Sequence, residues 1–206
     1  MSRGDVLLVR HAERPPIPNG SWGRELSITD AGREASIELG SRLGSIPRIV
    51  SSPVPRCVQT AEALRQGAGG SASIEQDRLL GDPGVWVMQP ELAGPQFQAG
   101  GARGVVARQL AGAVVPGMRP LTDGASLLLD LLLRTAPPVG SVSVCVTHDA
   151  VMAPLIGHLF GQERVGPIWP NFLEALRLQF GDDELVVRWR GRYRRVSDLD
   201  PLSGLD

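Results

Sequence analysis

The chain contains no lysine, although 21 of its 206 residues are basic; all of these are arginine. Codon bias in a GC-rich genome explains this, and the abundance of glycine, alanine and proline agrees with it. The absence excludes chemistry that depends on a lysine amine, such as a Schiff base or the lysine of a phosphate-binding P-loop. Any anion site must therefore be built from arginine, histidine and backbone N–H groups.

The sequence also has few cysteines, a small net charge and no long apolar run. Cys57 and Cys145 are the only cysteines, too few for a disulfide framework, which indicates a reducing compartment. We find neither a signal peptide nor an apolar run of transmembrane length, so we expect a cytoplasmic protein. A formal net charge of -1 argues against a broad surface for nucleic acid or membrane. Nothing in the sequence indicates the oligomeric state.

Six strand-like runs alternate with helical patterns along the chain. Val6–Val9 and Val142–Thr147 are almost continuously apolar, as expected of central strands covered on both faces. The other runs are Arg48–Ser51, Ser73–Gln76, Ala175–Phe180 and Leu185–Trp189. This alternation predicts an α/β fold with a mostly parallel sheet, in one domain spanning residues 1–206. Residues 81–120, rich in glycine, proline and glutamine, predict a partly helical excursion over the sheet edge.

Helix boundaries are indicated by capping residues. Thr29 is suited to cap a first helix. The inward face of that helix is predicted to be Ala31, Ala35, Leu39 and Leu43. Ser52 and Pro53 predict the cap and the first residue of a second helix. Further helices are predicted at Asp123–Leu133 and Val151–Phe160.

Two of the three histidines stand at equivalent positions. His11 and His148 each follow a buried strand directly, whereas His158 lies within a predicted helix and is expected to be structural. In open α/β sheets, ligands bind at the carboxyl ends of the strands. If the two strands are neighbours, both imidazoles face one pocket.

Three arginines fit an anion site at the same place. Arg10 and Arg14 flank His11, and Arg56 falls in the first turn of the second helix. Free N–H groups and the helix dipole favour an anion at the start of a helix. In addition, one guanidinium group can donate to two phosphate oxygens at once. The sequence therefore predicts a phosphate site.

Four stretches, in this order, resemble the histidine phosphatase superfamily, also called phosphoglycerate mutase-like. They are Leu8–Arg14, Leu26–Gly32, Ser51–Glu62 and Val146–His148. The resemblance implies a three-layer α/β/α sandwich and attack of a neutral His11 on phosphorus, with no metal or other cofactor. Arg10, Arg14, Arg56 and His148 would hold the phosphoryl group. Ala12 replaces the glycine that the family usually has after the nucleophile, and we do not interpret this as loss of activity.

Neighbouring positive charge suits this role, because three guanidinium groups lower the pKa of the imidazole and keep it neutral. The general acid, which protonates the leaving oxygen, has two candidates. Asp149 stands where the acid phosphatase and phytase branch of the family has its acid. Asp82 lies in the loop that supplies the acid in the larger mutase and phosphatase branch.

The flanking sequences favour Asp149, because Arg10–Pro16 and Trp169–Leu176 resemble the acid phosphatase branch. Asp149 also suits a helix N-cap, and Asp82 a turn.

The leading hypothesis is a metal-independent phosphatase that acts on a small phosphorylated metabolite. One alternative is a phosphomutase on the same scaffold, and another is a catalytically silent phosphoryl-binding protein. Trp22, Trp86 and Phe97 are candidates for the mouth of the pocket. Cys57 is expected to be an inert thiol on a helix face.

Overall fold

The computed structural model describes residues 3–18, 20–161, 165–182 and 184–196. Within these residues, seven strands form one sheet. They are β1 (Asp5–Arg10), β2 (Arg48–Ser51), β3 (Ser73–Gln76), β4 (Val142–Thr147), β5 (Ala175–Phe180), β6 (Leu185–Trp189) and β7 (Arg192–Val196). Their order across the sheet is β3-β2-β4-β1-β5-β6-β7.

The strands β1 to β4 are parallel to one another. β5 is antiparallel to β1, and β6 is antiparallel to β5. Since β6 thus runs in the direction of β1, five of the seven strands share one direction. This confirms the mostly parallel sheet. The sequence analysis missed β7, because Arg192–Val196 has no apolar alternation; it pairs with β6 through its backbone.

Helices cover both faces of the sheet. They are α1 (Asp30–Leu43), α2 (Pro55–Gly67), α3 (Pro90–Leu110), α4 (Leu121–Thr135), α5 (Asp149–Phe160) and α6 (Val165–Ile168). Leu7 and Val9 of β1 belong to a core cluster with α1 and α2, and Val6 and Leu8 to one with α3, α4 and α5. This confirms the three-layer architecture. Among the described residues, no helix is long and apolar enough to cross a membrane.

The inward face of α1 differs from the prediction. Thr29 caps the helix as expected, accepting a hydrogen bond from the Gly32 N–H, but Ala31 and Ala35 are exposed. The buried residues of the helix are Gly32, Ser36 and Gly40. A Cβ on Gly40 would lie 2.2 Å from the Leu64 carbonyl oxygen of α2. Because the two backbones approach so closely, small residues face α2, which a search for apolar periodicity does not detect.

The start of α2 also differs from the prediction. Val54 is the N-cap and Pro55 the first helical residue, a position where proline loses no hydrogen bond. The predicted cap, Ser52, lies outside the helix and is fully buried. Arg56 is therefore the second residue of α2, within its first turn.

The excursion between β3 and α4 contains a short 3₁₀ helix, Arg78–Leu80, and the long helix α3. α3 is interrupted at Gly101, whose φ of 62° and ψ of 173° are not helical. Trp86 does not line a pocket mouth. It is buried in the core, and its Nε1–H donates to the Val151 carbonyl oxygen at 2.9 Å.

Candidate active site

The ends of β1 and β4 lie side by side at one edge of the sheet. Arg10 pairs with Thr147 in the parallel register, and the backbone N–H of His11 donates to the Thr147 carbonyl oxygen at 2.8 Å. The ring centroids of His11 and His148 are consequently 5.4 Å apart. The structure thus brings both strand-end histidines into one site.

The tautomer of His11 follows from its two neighbours. Its Nδ1 lies 2.8 Å from the Ala12 carbonyl oxygen, which can only accept, so Nδ1 carries the proton. Its Nε2 receives a hydrogen bond from Nε of Arg56 at 3.1 Å, and a guanidinium can only donate. Nε2 therefore carries the lone pair, which faces the Arg56 guanidinium.

The pKa of His11 is lowered from an ordinary 6.5 to about 3. Burial is the largest cause, since the residue is 2% exposed and desolvation disfavours the charged imidazolium. The charges of Arg56, Arg10 and Arg14 lower it further, against the opposing hydrogen bond to Ala12. The sequence analysis expected the arginines to act in this direction but did not anticipate that burial dominates.

Arg56 connects the two imidazoles. Besides its contact with His11, its Nη2 donates to Nδ1 of His148 at 3.1 Å. Its Nη1 donates to the Gly23 carbonyl oxygen at 2.7 Å, which ties the loop after β1 to the site. The first turn of α2 thus supplies a buried guanidinium that spans the site.

His148 is fixed from its other side by Ser52. Since Nδ1 accepts from Arg56, the proton lies on Nε2, which is 3.1 Å from Oγ of Ser52. That hydroxyl donates in turn to the Gly81 carbonyl oxygen at 3.3 Å. The pKa of His148 is well below its ordinary value, first because of burial and then because of Arg56 and His11.

Arg10 is held by the loop after α6. Its Nη1 donates to the Pro170 carbonyl oxygen at 2.8 Å, and its Cζ lies 4.1 Å from the centre of the Phe172 ring. Its Nη2 forms an ion pair with Oδ2 of Asp149 at 2.7 Å. Two protein oxygens therefore orient this guanidinium.

Two arginine N–H groups lack an acceptor. In the described part of the chain, Nε of Arg10 and Nε of Arg14 are buried without a hydrogen-bond partner. Nη1 of Arg14 donates to the Pro15 carbonyl oxygen at 2.8 Å. Buried donors are nearly always satisfied in proteins, so these two favour an anionic ligand that supplies the missing acceptors.

The two candidate acids are both ion-paired, with different partners. Asp149 pairs with the partly buried Arg10 and also accepts from the N–H of Ala150, in the first turn of α5. Asp82 pairs with the exposed Arg24 at 2.5 Å. Asp82 follows Gly81, which lies so close to His148 that a Cβ on it would be 2.5 Å from Cδ2 of the imidazole. Asp149 thus contacts an arginine of the site, and Asp82 follows a residue that packs against His148.

Three neighbours of the site were not identified from the sequence: Ser52, Thr60 and Phe172. Thr60 is fully buried; its Oγ1 accepts from the Ala12 N–H at 3.0 Å and donates to the Arg56 carbonyl oxygen at 2.7 Å. Thr60 follows Arg56 by four residues, about one helical turn, and this spacing could have identified it from the sequence as a neighbour of Arg56. No local pattern marked Ser52 or Phe172, because their partners are distant in sequence.

The other residues singled out from the sequence are Cys57, Trp22, Phe97 and His158. Cys57 is buried, with Sγ 3.4 Å from Nε2 of His148, and burial raises the pKa of its thiol to about 12, which makes it unreactive. Trp22 and Phe97 meet edge to face at 6.4 Å between ring centroids. His158 is exposed on α5.

The arrangement offers an uncharged nitrogen lone pair among three guanidinium groups. Such a site can bind a phosphoryl group and attack its phosphorus, because phosphoryl transfer depends mainly on positioning and on charge stabilisation. Among the described residues, no group of three histidine, cysteine, aspartate or glutamate side chains is placed to hold a metal ion.

Sequence comparison identifies the family to which this fold and site belong. The model of the histidine phosphatase superfamily (branch 1) matches residues 6–169, and the chain therefore belongs to that superfamily. The superfamily assignment made from the four stretches is thus confirmed. The branch that matches is branch 1, although features around Arg10–Pro16 and Trp169–Leu176 resemble the acid phosphatase branch. No curated protein matches the chain.

Solved structures show the same fold at low sequence identity. Phosphoglycerate mutase from Bacillus anthracis is 16% identical with a TM-score of 0.59, over 97% of this chain and 95% of that one. A mycobacterial glucosyl-3-phosphoglycerate phosphatase is 21% identical with a TM-score of 0.60, over 95% and 97%. Phosphoserine phosphatase from Entamoeba histolytica is 18% identical with a TM-score of 0.53, over 85% and 90%. The family and this fold indicate a phosphatase or a mutase.

Proposed function

We propose that the protein is a phosphatase that hydrolyses a small phosphomonoester through a phosphohistidine intermediate on His11. The observation that carries this proposal is the Nε2 lone pair of His11, which lies on a neutral imidazole between arginine side chains. Cytoplasm remains the proposed compartment, which the two free thiols, Cys57 and Cys145, support.

The first chemical step transfers the phosphoryl group to the protein. Nε2 of His11 attacks phosphorus in line with the ester oxygen, the N–P bond forms, and the P–O bond breaks. The leaving oxygen takes a proton from a carboxylic acid at the site. Arg10, Arg14 and Arg56 stabilise the charge on the other phosphoryl oxygens, and His148 borders the same group.

The second step restores the enzyme. A water molecule attacks the phosphorus of the phosphohistidine and gives one proton to the carboxylate that lost its proton in the first step. The N–P bond breaks, and inorganic phosphate leaves. The acid of the first step thus serves as the base of the second.

For the acid, we propose Asp82 ahead of Asp149, which the sequence alone favoured. The match to branch 1 supports Asp82, because the mutase and phosphatase branch takes its acid from this loop. Asp149 is paired with Arg10, and this ion pair orients one of the guanidinium groups proposed to bind the phosphoryl group. The Arg24 partner of Asp82 is exposed to water.

A mutase would return the phosphoryl group to another hydroxyl instead of to water. Both classes occur among the structural neighbours. Release of inorganic phosphate from several monoesters, without formation of an isomer, would support the phosphatase.

The nucleophile is tested with His11→Ala. We expect the variant to lose at least about 10³-fold in kcat for p-nitrophenyl phosphate, because covalent transfer needs the imidazole nitrogen. His158→Ala, which removes an exposed histidine, is the matched control and should retain activity. Wild type quenched during turnover should carry phosphate that is labile in acid and stable in base, and His11→Ala should not. Unchanged turnover by His11→Ala would contradict the mechanism, and so would the absence of the bound phosphate from both proteins. No turnover by wild type would favour the phosphoryl-binding alternative.

A further inference from the structure

One more arginine lies at the edge of the site and has no role in the steps above. Arg103 stands two residues after the interruption of α3 at Gly101 and is exposed. Its Cζ lies 4.8 Å from the centre of the Trp169 ring. A guanidinium stacked in this way is held in place, while its N–H groups, which lie in its plane, remain available to a ligand.

The loop after α6 joins Arg103 to the phosphate site. Trp169 contacts Arg103, and the next residue, Pro170, accepts the hydrogen bond from Arg10. The positive charge of Arg103 is near enough to contribute to the lowered pKa of Arg10, after burial and the charge of Arg14. The two guanidinium groups therefore lie on the same side of the molecule, within electrostatic range of each other.

The charges around the site are not balanced. Arg10 is paired with Asp149, and Arg24 with Asp82. In the part of the chain that the structure describes, Arg103 forms no ion pair with a carboxylate, and its guanidinium lies over the Trp169 ring. A phosphate dianion together with Asp149 would balance the charges of Arg10, Arg14 and Arg56, and no described carboxylate is left to pair with Arg103.

We propose that Arg103 determines specificity by binding a second anionic group of the substrate, a carboxylate or a second phosphate, beyond the phosphoryl group that reacts. This inference rests on the proposed function, since it adds to the same site. In this proposal, Arg103 of α3 binds the part of the substrate that leaves, and His11 reacts with the phosphoryl group.

The test compares substrates that differ in one charge. In 3-phosphoglycerate a carboxylate replaces the terminal CH₂OH of glycerol 3-phosphate, and fructose 1,6-bisphosphate adds a phosphate to fructose 6-phosphate. With Arg103→Ala, we expect kcat/KM to fall about 10- to 100-fold for the doubly anionic member of at least one pair, the size of a charge-assisted hydrogen bond. The member of the pair without the second anionic group and p-nitrophenyl phosphate should change less than about threefold. The substrate pair whose kcat/KM responds shows whether Arg103 binds a carboxylate or a second phosphate.

Arg108→Ala is the matched control, because Arg108 is also exposed on α3 and donates to Gln96 instead. It should leave the preference intact. An equal loss on every substrate after Arg103→Ala would indicate a structural role and overturn the proposal. A wild-type enzyme with no preference for either doubly anionic substrate would overturn it as well.

A binding measurement separates this inference from the proposed function. In a His11→Ala background, calorimetry with the same pairs should show tighter binding of a doubly anionic ligand, and adding Arg103→Ala should abolish the difference. Loss of that difference supports the inference even if wild type turns over nothing. Identical preferences in the two backgrounds would overturn it even if the phosphatase activity is confirmed.

Discussion

Ser52 holds the Nε2 side of the His148 ring, and its position depends on contacts between distant parts of the chain. Its hydroxyl lies between Nε2 of His148 and the Gly81 carbonyl oxygen. The sequence analysis assigned Ser52 to a helix cap, because a serine followed by proline is a common start of a helix. A role in orienting His148 requires knowledge of where Gly81 lies, which local pattern does not contain.

Ser52→Ala should therefore impair the site more than it impairs the fold. We expect loss of about 1–3 kcal/mol in the free energy of unfolding, since a buried N–H loses its acceptor, together with a rise of about tenfold in KM for p-nitrophenyl phosphate. Steady-state kinetics and urea unfolding measure the two effects. The matched control is Ser36→Ala: Ser36 is fully buried too, but it donates within α1, so its loss should leave KM unchanged. Equal KM values for wild type and Ser52→Ala would contradict a positioning role.

The two acids are separated by how strongly each variant depends on the leaving group. Asp82→Asn should slow an alkyl phosphate at least about tenfold more than p-nitrophenyl phosphate, whose leaving group hardly needs a proton. Asp149→Asn should instead change both substrates alike, because it removes the partner that orients Arg10. The measurement is the ratio of kcat values for the two substrates. The reverse pattern would restore Asp149 as the acid.

At the scale of secondary-structure elements, strands were predicted more accurately than helix faces. Five of the six predicted strands have the observed bounds, and the sixth, Val6–Val9, is longer by one residue at each end. Strands were identified from short local patterns of residues, whereas a helix face depends on what packs against it. On α1, Leu39 and Leu43 pack against the core as predicted, but Ala31 and Ala35 are exposed, because the face towards α2 depends on how closely the two helices approach. The start of α2 was wrong, since Ser52 contacts His148 and Gly81 instead of capping the helix. Gly40 can lie against the Leu64 carbonyl only because it has no side chain. A search for hydrophobic residues does not detect such a position.

The interruption of α3 at Gly101 can be tested by adding a methyl group. A Cβ at this position meets no atom within 4 Å, so Gly101→Ala acts only through backbone conformation. A φ of 62° with a ψ of 173° is essentially confined to glycine, and we expect a loss of about 1–3 kcal/mol in the free energy of unfolding. Urea unfolding measures this.

Gly100→Ala is the matched control, because Gly100 is also unobstructed and lacks a positive φ. In a helix this change should be neutral or stabilising, by up to about 1 kcal/mol. Equal effects of the two substitutions would show that α3 continues through Gly101 in solution.

For the whole molecule, the buried histidines make stability depend on pH. The pKa of His11 is about 3 in the folded protein against an ordinary 6.5, so between these values the unfolded chain binds one more proton. Stability must then fall as the pH drops from about 6.5 towards 3. From pH 7 to pH 5 we expect His11 to account for a loss of about 2 kcal/mol. His148 acts in the same direction.

Urea unfolding at pH 7 and pH 5 checks this, with His11→Gln beside wild type. The variant should lose about 2 kcal/mol less than wild type between the two pH values, whatever its absolute stability. If both proteins lose the same amount, His11 titrates alike in the folded and unfolded chains, and the imidazole is not held neutral by burial.

The convergence of His11, His148 and Arg56 could be predicted, because parallel strand ends meet at one edge of a sheet. The distribution of charge around them could not, since it depends on loops whose ends are far apart in sequence. Arg103 and Trp169, for example, come from α3 and from the loop after α6. The fold and the central residues of the site could thus be predicted from the sequence, whereas residues around it such as Arg103 and Trp169 could not.

The hydrogen bond from Arg56 to Nε2 of His11 has a consequence for the resting enzyme. It masks the reactive lone pair, so the imidazole is a poor target for stray electrophiles while the site is empty. An arriving oxyanion competes for the same guanidinium and draws its N–H groups away from the ring. In the proposed mechanism, the charge of the substrate therefore frees the nitrogen that attacks it, and until then Nε2 is occupied by the hydrogen bond from Arg56.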